Sequence, residues 1–359
     1  MEKGDKIYIA GHQGLVGSAL WKNLLEKGYT NLLGRTHAEL DLMDGLAVKT
    51  FFDKEQPDYV ILAAAHVGGI MANHTYRADF IYRNLQIQQN VIGESFRHGV
   101  KKLLFLGSTC IYPREAVQPI REEALLTGPL EYTNEPYAIA KIAGLKLCES
   151  LNLQYGTNYI AVMPTNLYGP NDNFHLENSH VLPAMVRKVY LGKCLYSGDW
   201  TAVRKDLSAR PVERIDGTSD EQTILSVLAR YGVTPGEVRL WGTGRPMREF
   251  LWSEEMADAS VYILEHVDFK DTYQPGAIDI RNCHINIGTG KEISIAALAE
   301  LVVKEVGYRG RVIFDASKPD GTPRKLTDVT KLHRLGWHHR IEIEEGVHRL
   351  YQWYIGSYC

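Results

Sequence analysis

Residues 6–18 read Lys6-Ile7-Tyr8-Ile9-Ala10-Gly11-His12-Gln13-Gly14-Leu15-Val16-Gly17-Ser18. Five residues of strand character run into Gly11-x-x-Gly14-x-x-Gly17, and the spacing beyond it predicts an amphipathic helix over Ser18–Glu26. Between a strand and a helix, glycine lets the backbone turn tightly. It also lets a pyrophosphate approach the helix N-terminus, where unpaired N–H groups and the dipole favour an anion. A strand, a glycine turn and a helix in that order open a parallel sheet that binds a dinucleotide.

The alternation continues outward from this start. Leu32-Leu33 reads as a short second strand, and Tyr59–Ala63 and Lys102–Leu106 as buried strands. Between the last two, Asp79–His98 carries Phe80, Ile81, Leu85, Ile87, Val91, Ile92 and Phe96 at helical spacing. Beyond Val162-Met163-Pro164 the regular pattern ends and Pro and Gly become frequent. The fold expected is α/β: a Rossmann-type doubly wound parallel sheet over 1–166, with a smaller C-terminal α/β substrate-binding domain over 167–359. A strand-like Val238–Trp241 and a helix over Ser253–Leu264 suggest a return of the chain to the first domain near 238–265. The stretch 197–235 is charged and poor in strand signal, with one helical segment over Ser219–Tyr231, and reads as inserted.

Composition removes several function classes. With 40 Lys+Arg against 43 Asp+Glu in 359 residues, no broadly basic surface for nucleic acid is expected. The longest apolar run, Tyr59–Val67, is far short of the roughly 20 residues of a membrane span, and Met1–Asp5 has no signal-peptide core. A cytoplasmic chain with no membrane partner is expected. Five cysteines, Cys110, Cys148, Cys194, Cys283 and Cys359, form no C-x-x-C pair, which disfavours a disulfide framework and a thiolate metal site.

The chemistry centres on Tyr137-x-x-x-Lys141. On a helix this spacing stacks both side chains on one face. A nearby ammonium is expected to lower a phenol pKa that is ordinarily about 10, making Tyr137 an acid for a carbonyl oxygen that receives hydride. Ser108-Thr109 directly follows the strand ending at Leu106, where sheet ligands gather, so the Ser108 hydroxyl can share that oxygen. Gly34-Arg35-Thr36-His37 at the end of the second strand offers a cation rather than an acid, which favours NADP (NADPH) while leaving NAD open. Cys110 stands two residues after Ser108, so in an extended chain both would face the pocket; the other reading is a small buried apolar residue. His180 has a near-neutral pKa suited to proton transfer, or is a structural histidine.

These residues, together with longer motifs, resemble the GDP-L-fucose synthase family of the extended short-chain dehydrogenase/reductase superfamily. The motifs are Ala10–Ser18, Ala63–Ile70, Gly107–Pro113, Asn134–Lys141, Pro164–Phe174, Trp241–Gly244, Met247–Phe250 and Ser317–Lys325. The resemblance implies 3,5-epimerisation of GDP-4-keto-6-deoxy-D-mannose, then NADPH-dependent reduction at C4 to GDP-L-fucose. A related GDP-4-keto sugar, such as a 6-deoxy-heptose, is the alternative. It assigns reduction to Ser108, Tyr137 and Lys141, and proton transfer at C3 and C5 to Cys110 and His180. The C4 keto group makes those hydrogens acidic, and the Tyr137 and Ser108 donors would stabilise the enolate. Cofactor contacts are implied at Gly11, Gln13, Gly14, Leu15, Val16, Gly17, Arg35, Asp41, Leu42, Ala64, Leu106, Lys141, Pro164, Asn166, Leu167 and His180. Substrate contacts are implied at Lys188, Trp241, Arg248, Asp320 and Lys325.

The chain departs from the family pattern in three places. Gln13 and His37 stand where bacterial members often have arginines. Lys188 stands where many have arginine, with Arg187 adjacent and expected to compensate on the phosphate. The 197–235 stretch is longer, read either as a surface elaboration or as a flap or oligomer contact. A homodimer is implied, packing Asp79–His98 and Tyr137–Leu153 between subunits, with Ala138, Ile142, Leu145 and Glu149 on one stripe of the second helix.

Overall fold

The computed structural model describes residues 1–318 and 320–357, apart from the side chains of Ile70 and Met71; Pro319 of the Ser317–Lys325 motif and Cys359 lie outside the described residues. The chain begins β1 (Ile7–Ala10), α1 (Leu15–Glu26), β2 (Leu32–Leu33), α2 (Gly45–Glu55), β3 (Tyr59–Leu62), α3 (Ile70–Thr75), α4 (Arg77–Arg97), β4 (Lys102–Leu106), α5 (Glu135–Tyr155) and β5 (Tyr159–Pro164). It continues β6 (Asn166–Tyr168), α6 (Val181–Ser197), α7 (Trp200–Ala209), α8 (Glu221–Arg230), β7 (Glu237–Trp241), β8 (Met247–Arg248), β9 (Phe250–Trp252) and α9 (Ser253–His266). It ends β10 (Ile285–Ile287), β11 (Ile293–Ser294), α10 (Ile295–Val306), β12 (Arg311–Asp315), β13 (Arg324–Lys325), α11 (Thr330–Arg334) and α12 (Ile343–Gly356).

Two compact units result. The first holds Met1–Leu167, Glu249–Lys291 and Leu326–Arg340; the second holds Tyr168–Arg248, Glu292–Lys325 and Ile341–Cys359. The chain therefore returns to the first unit at Glu249 rather than near 238, stays until Lys291, and comes back once more for 326–340. Residues 237–241 remain outside because β7 takes its partner, β12, within the second unit.

In the first unit six strands lie in the order β10-β5-β4-β3-β1-β2, every pair parallel. Alternation within each strand sends side chains to two cores. Ile7, Ile9, Leu104 and Leu106 meet Leu20 and Leu24 of α1 and Met256 and Ile263 of α9 on one face. Tyr8, Val60, Leu103 and Phe105 meet Phe52, Val91 and Leu145 on the other. The order of β1, β2 and β3 reverses direction at β1, so the crevice beyond the ends of β1 and β3 is the switch point where such sheets bind ligands. Ala138, Ile142, Leu145 and Glu149 of α5 are all buried inside this unit. That stripe packs onto the protomer's own core and is unavailable as an intersubunit seam; Tyr82 of α4 and Ile139, Leu153 and Tyr155 of α5 are exposed instead.

The second unit overturns the idea that 197–235 is a surface elaboration. Val203 and Leu207 of α7, Ile224, Val227 and Leu228 of α8, and Val212 and Val233 on either side of α8 are buried against Leu191, Cys194 and Leu195 of α6. Asp199 and Asp220 cap α7 and α8 through the backbone N–H groups of Ala202 (3.0 Å) and Thr223 (2.9 Å). Beneath them Arg187 and Asp206, each with 0% of its side chain exposed, form an ion pair at 3.0 Å. The Tyr354 hydroxyl donates to both oxygens of that carboxylate at 3.1 Å, and Arg187 Nη1 donates to the Phe174 carbonyl at 3.2 Å.

Candidate active site

Three glycines shape the switch-point crevice. Gly11 has φ of 88°, and a Cβ there would sit 2.8 Å from the Ala64 nitrogen. A Cβ on Gly17 would sit 2.0 Å from the Gly11 carbonyl oxygen. Gly14 is the N-cap of α1, and no side chain caps that helix, so the amides at Leu15 and Val16 begin a helix whose dipole carries positive charge toward the turn. The helix starts three residues before the expected Ser18 because the glycine turn is itself its entry. Such a cradle, closed by backbone and open at Gln13 and Gly14, fits the pyrophosphate of a dinucleotide.

The end of β2, expected to specify the nucleotide, is more constrained than its sequence suggests. Arg35 is engaged: one amino group lies 2.9 Å from Glu55 Oε1 and the other donates to the Gly34 carbonyl at 2.8 Å. His37 is exposed, 3.8 Å from Asp41. Leu42 accepts from Asn90 Nδ2 at 2.8 Å through its carbonyl. The His12 ring fills the space over Gly34, where a Cβ would meet it at 2.6 Å, and its Nδ1 is buried without a hydrogen-bond partner. His12 escaped sequence reasoning; its position inside the glycine turn was the only signal. Further along, Pro164 ends β5, Leu167 lies in β6, and Asn166 Nδ2 donates to the Glu249 carbonyl at 2.7 Å.

The residues expected to serve carbonyl reduction gather at the carboxyl end of β4. Ser108 is extended (φ −163°, ψ 146°), and its Oγ accepts from the Cys110 amide at 3.3 Å. Residues Thr109–Ile111 then form a single 3-10 turn. The extended geometry assumed for Cys110 is thus wrong: the turn, not strand alternation, orients its thiol. Tyr137 and Lys141 lie on the first turns of α5, held by Gln88 Nε2 donating to the Ala140 carbonyl at 2.6 Å. Lys141, 3% exposed, donates to the Leu106 carbonyl at 2.8 Å. Its Nζ is 5.7 Å from the centre of the Tyr137 ring.

Burial sets the protonation states. It brings the Lys141 ammonium down to about 8, with Cys110 opposing. It raises the Tyr137 phenol above its ordinary value, and charge on Cys110 raises it further. The expected lowering of Tyr137 by Lys141 does not occur, because the ammonium is turned to the Leu106 carbonyl while the phenol loses its water. Cys110 is close enough to act on both groups, so Ser108, Cys110, Tyr137 and Lys141 form one constellation.

The profile described as NAD dependent epimerase/dehydratase family matches residues 7–210 and 208–288. The chain is 49% identical over 358 residues to GDP-L-fucose synthase 1 of Arabidopsis thaliana, covering 100% of this chain and 95% of that protein. It is 49% identical over 353 residues to GDP-L-fucose synthase of Escherichia coli K12, covering 98% and 97%. The chain belongs to the GDP-L-fucose synthase group of this family. Among solved structures, a GDP-D-glycero-L-gluco-heptose synthase from Campylobacter jejuni, determined in the presence of NADPH, superposes with a TM-score of 0.91 at 43% identity, covering 99% of each chain.

The residues expected to contact the substrate lie in the second unit. Lys188 on α6 is 7% exposed, has no ion-pair or hydrogen-bond partner among the described residues, and is brought down to about 8 by burial. Arg187 cannot assist it, since its guanidinium is consumed by Asp206; the expected compensation on the phosphate fails. Trp241 is 62% exposed with Lys318 Nζ 5.6 Å from its ring centre. Burial lowers Arg248, and Asp320 opposes the shift. The Asp320 oxygens accept from the Thr243 amide at 2.8 Å and its hydroxyl at 2.7 Å. Lys325 pairs in register with Arg248 across β13 and β8. His180 is the exposed N-cap of α6, and the protein mass on its inner side lowers its pKa. Lys318 and Thr243 join this set only in three dimensions.

Proposed function

We propose that the chain converts GDP-4-keto-6-deoxy-D-mannose to GDP-L-fucose, by epimerisation at C3 and C5 and NADPH-dependent reduction at C4. The observation that carries this is the constellation of Ser108, Cys110, Tyr137 and Lys141 at the end of β4, on a sheet whose switch point holds the glycine cradle. Full-length identity of 49% to the Arabidopsis thaliana and Escherichia coli GDP-L-fucose synthases, against 43% to the heptose synthase, supports the hexose over the alternative heptose.

When bound on Gly11, Gly14 and Gly17, NADPH supplies a hydride for C4. Tyr137 keeps its proton at neutral pH because burial holds its pKa high, so it remains an acid until negative charge develops on the carbonyl oxygen. Ser108 shares that oxygen, and Lys141, with its Nζ 5.7 Å from the Tyr137 ring centre, steadies the negative charge left on the phenol once its proton has moved. Before reduction, Cys110 and His180 remove and return protons at C3 and C5, with the enolate oxygen held by the same two donors. Lys188, Arg248 and Lys325 receive the diphosphate and Trp241 stacks on the nucleoside. Arg35 is the cation nearest the 2′-phosphate position, but its pairing with Glu55 makes preference for NADPH over NADH modest. Mixing protein, NADPH and GDP-4-keto-6-deoxy-D-mannose should consume reduced cofactor and yield GDP-L-fucose. Turnover confined to the GDP-6-deoxy-4-keto-heptose would replace this reading with the alternative.

The buried ammonium of Lys188 makes a pH prediction. At about 8 it is charged below that value and neutral above it, so anion binding is strong at neutral pH and lost as pH rises through 8. KM for the GDP-sugar should be flat up to about pH 7 and then climb roughly tenfold per pH unit above the pKa. Lys188→Arg should remove the climb, since guanidinium does not titrate there. A wild-type KM that stays flat well above pH 8 excludes Lys188 from the diphosphate site.

A homodimer through the outer faces of α4 and α5 accounts for the exposure of Tyr82, Ile139 and Leu153. Sedimentation at micromolar concentration should find a dimer, and Ile139→Asp with Leu153→Asp should release monomers; a wild-type monomer refutes it. Among the described residues no helix is long and apolar enough to cross a membrane, and a cytoplasmic location is in keeping with the nucleotide-sugar and NADPH substrates.

A further inference from the structure

Two residues after Cys110 the chain reaches Tyr112, which is 3% exposed. Its hydroxyl lies 3.0 Å from His284 Nε2 and 2.5 Å from Asn286 Oδ1. These partners stand at and beside β10, far away in sequence but in the same unit. The direction of each hydrogen bond in this group can be deduced. Asn286 Nδ2 donates to the Ile120 carbonyl at 3.0 Å and to the Asp328 carbonyl at 3.2 Å. The Asn286 amide is thereby oriented with Oδ1 toward Tyr112, and the phenol must spend its single proton there. His284 Nε2 must then carry a hydrogen and donate it to the phenol oxygen. Consistent with that tautomer, His284 Nδ1 is buried and makes no hydrogen bond among the described residues. Burial first, then the charges of Lys331 and Lys146, keep this imidazole neutral, and Lys331 Nζ clamps the His284 carbonyl at 2.9 Å.

We propose that Tyr112 is a positioning residue for Cys110. The directed chain from His284 through Tyr112 to Asn286 anchors the far end of the 3-10 turn, as the Ser108 hydroxyl receiving the Cys110 amide anchors the near end. Between these two pins the thiol has one approach to the sugar carbons it serves. Tyr137 and Lys141 take their positions from α5, so the pin acts on proton transfer at C3 and C5 and not on hydride transfer at C4. This inference rests on the proposed role of Cys110.

The test compares two rates in the full-length protein. One is deuterium incorporation at C3 and C5 of GDP-4-keto-6-deoxy-D-mannose in heavy water without NADPH. The other is single-turnover hydride transfer from NADPH to the already epimerised keto sugar. Tyr112→Phe should lower the first about tenfold or more and leave the second within about twofold. His284→Leu should do the same. His284→Gln, whose side-chain amide can still donate to the phenol, should restore the wild-type ratio. Ile111→Val, a packing change in the same turn, should lower the thermal midpoint with the ratio unchanged. The proposal is overturned if Tyr112→Phe scales both rates together, or if His284→Gln behaves like His284→Leu. Cys110→Ala separates the two levels of the argument: retained exchange in that variant refutes the role of Cys110 itself, whereas lost exchange there with normal exchange in Tyr112→Phe refutes only the pin.

Discussion

Tyr137→Phe should lower hydride transfer to C4 by about a thousandfold, within the 10²–10⁴ range of a lost general acid, while NADPH still binds with nearly unchanged Kd. The first half follows from protonation. Burial holds the Tyr137 proton in place across the physiological range. It also leaves the carbonyl oxygen with no equivalent acid once the phenol is gone: the Ser108 hydroxyl can still donate a hydrogen bond to it, but an aliphatic hydroxyl is a far weaker acid than a phenol. The second half follows from location: the phosphates rest on the backbone of Gly11–Gly17, and Lys141 stays on the Leu106 carbonyl at 2.8 Å without needing the phenol. Stopped-flow loss of NADPH absorbance and fluorescence titration of the cofactor measure the two quantities. Near-normal turnover in Tyr137→Phe contradicts the mechanism, and a collapse of cofactor affinity would show that the residue acts through binding instead.

Asp206→Ala should destabilise the protein by about 3–5 kcal/mol, the cost of leaving a fully buried guanidinium without its counter-ion. Both side chains are completely buried; solvent cannot screen the charge left behind. Arg187 would keep the Phe174 and Arg210 carbonyls, and Tyr354 would lose the Asp206 carboxylate. Replacing both charges at once, Arg187→Met with Asp206→Leu, should recover most of the loss, because the burial penalty disappears along with the attraction. Urea unfolding, followed by circular dichroism, reads both effects. Asp206→Ala with a wild-type midpoint would mean that 197–235 is not part of the second unit's core. Deletion of that segment should likewise unfold the unit, since α7 and α8 bury their apolar faces against α6.

The amino-acid sequence alone determined the parallel sheet, the glycine cradle, the helical pairing of Tyr137 with Lys141 and the placement of Ser108 after β4. These share a physical reason: each is written in a local period or a short spacing, and backbone sterics translate such patterns into structure with little help from the rest of the chain. Tertiary structure decided the remainder. Arg187 and Lys188 are adjacent and both cationic, yet one is neutralised by a carboxylate 19 residues away and the other has no counter-ion among the described residues. Asp206 reads as one more charge in a charged insertion, because the fully buried apolar residues of α7 are just Val203 and Leu207, with Trp200 and Ala202 packed at the edge. The stripe Ala138–Glu149 has seam-like spacing, but which surface a stripe meets depends on neighbouring elements. Tyr112 finds its partners 172 and 174 residues downstream. Protonation belongs to this second class too: the Tyr137 phenol is raised rather than lowered because burial, a property of the whole fold, outweighs an ammonium that a distant carbonyl has turned aside.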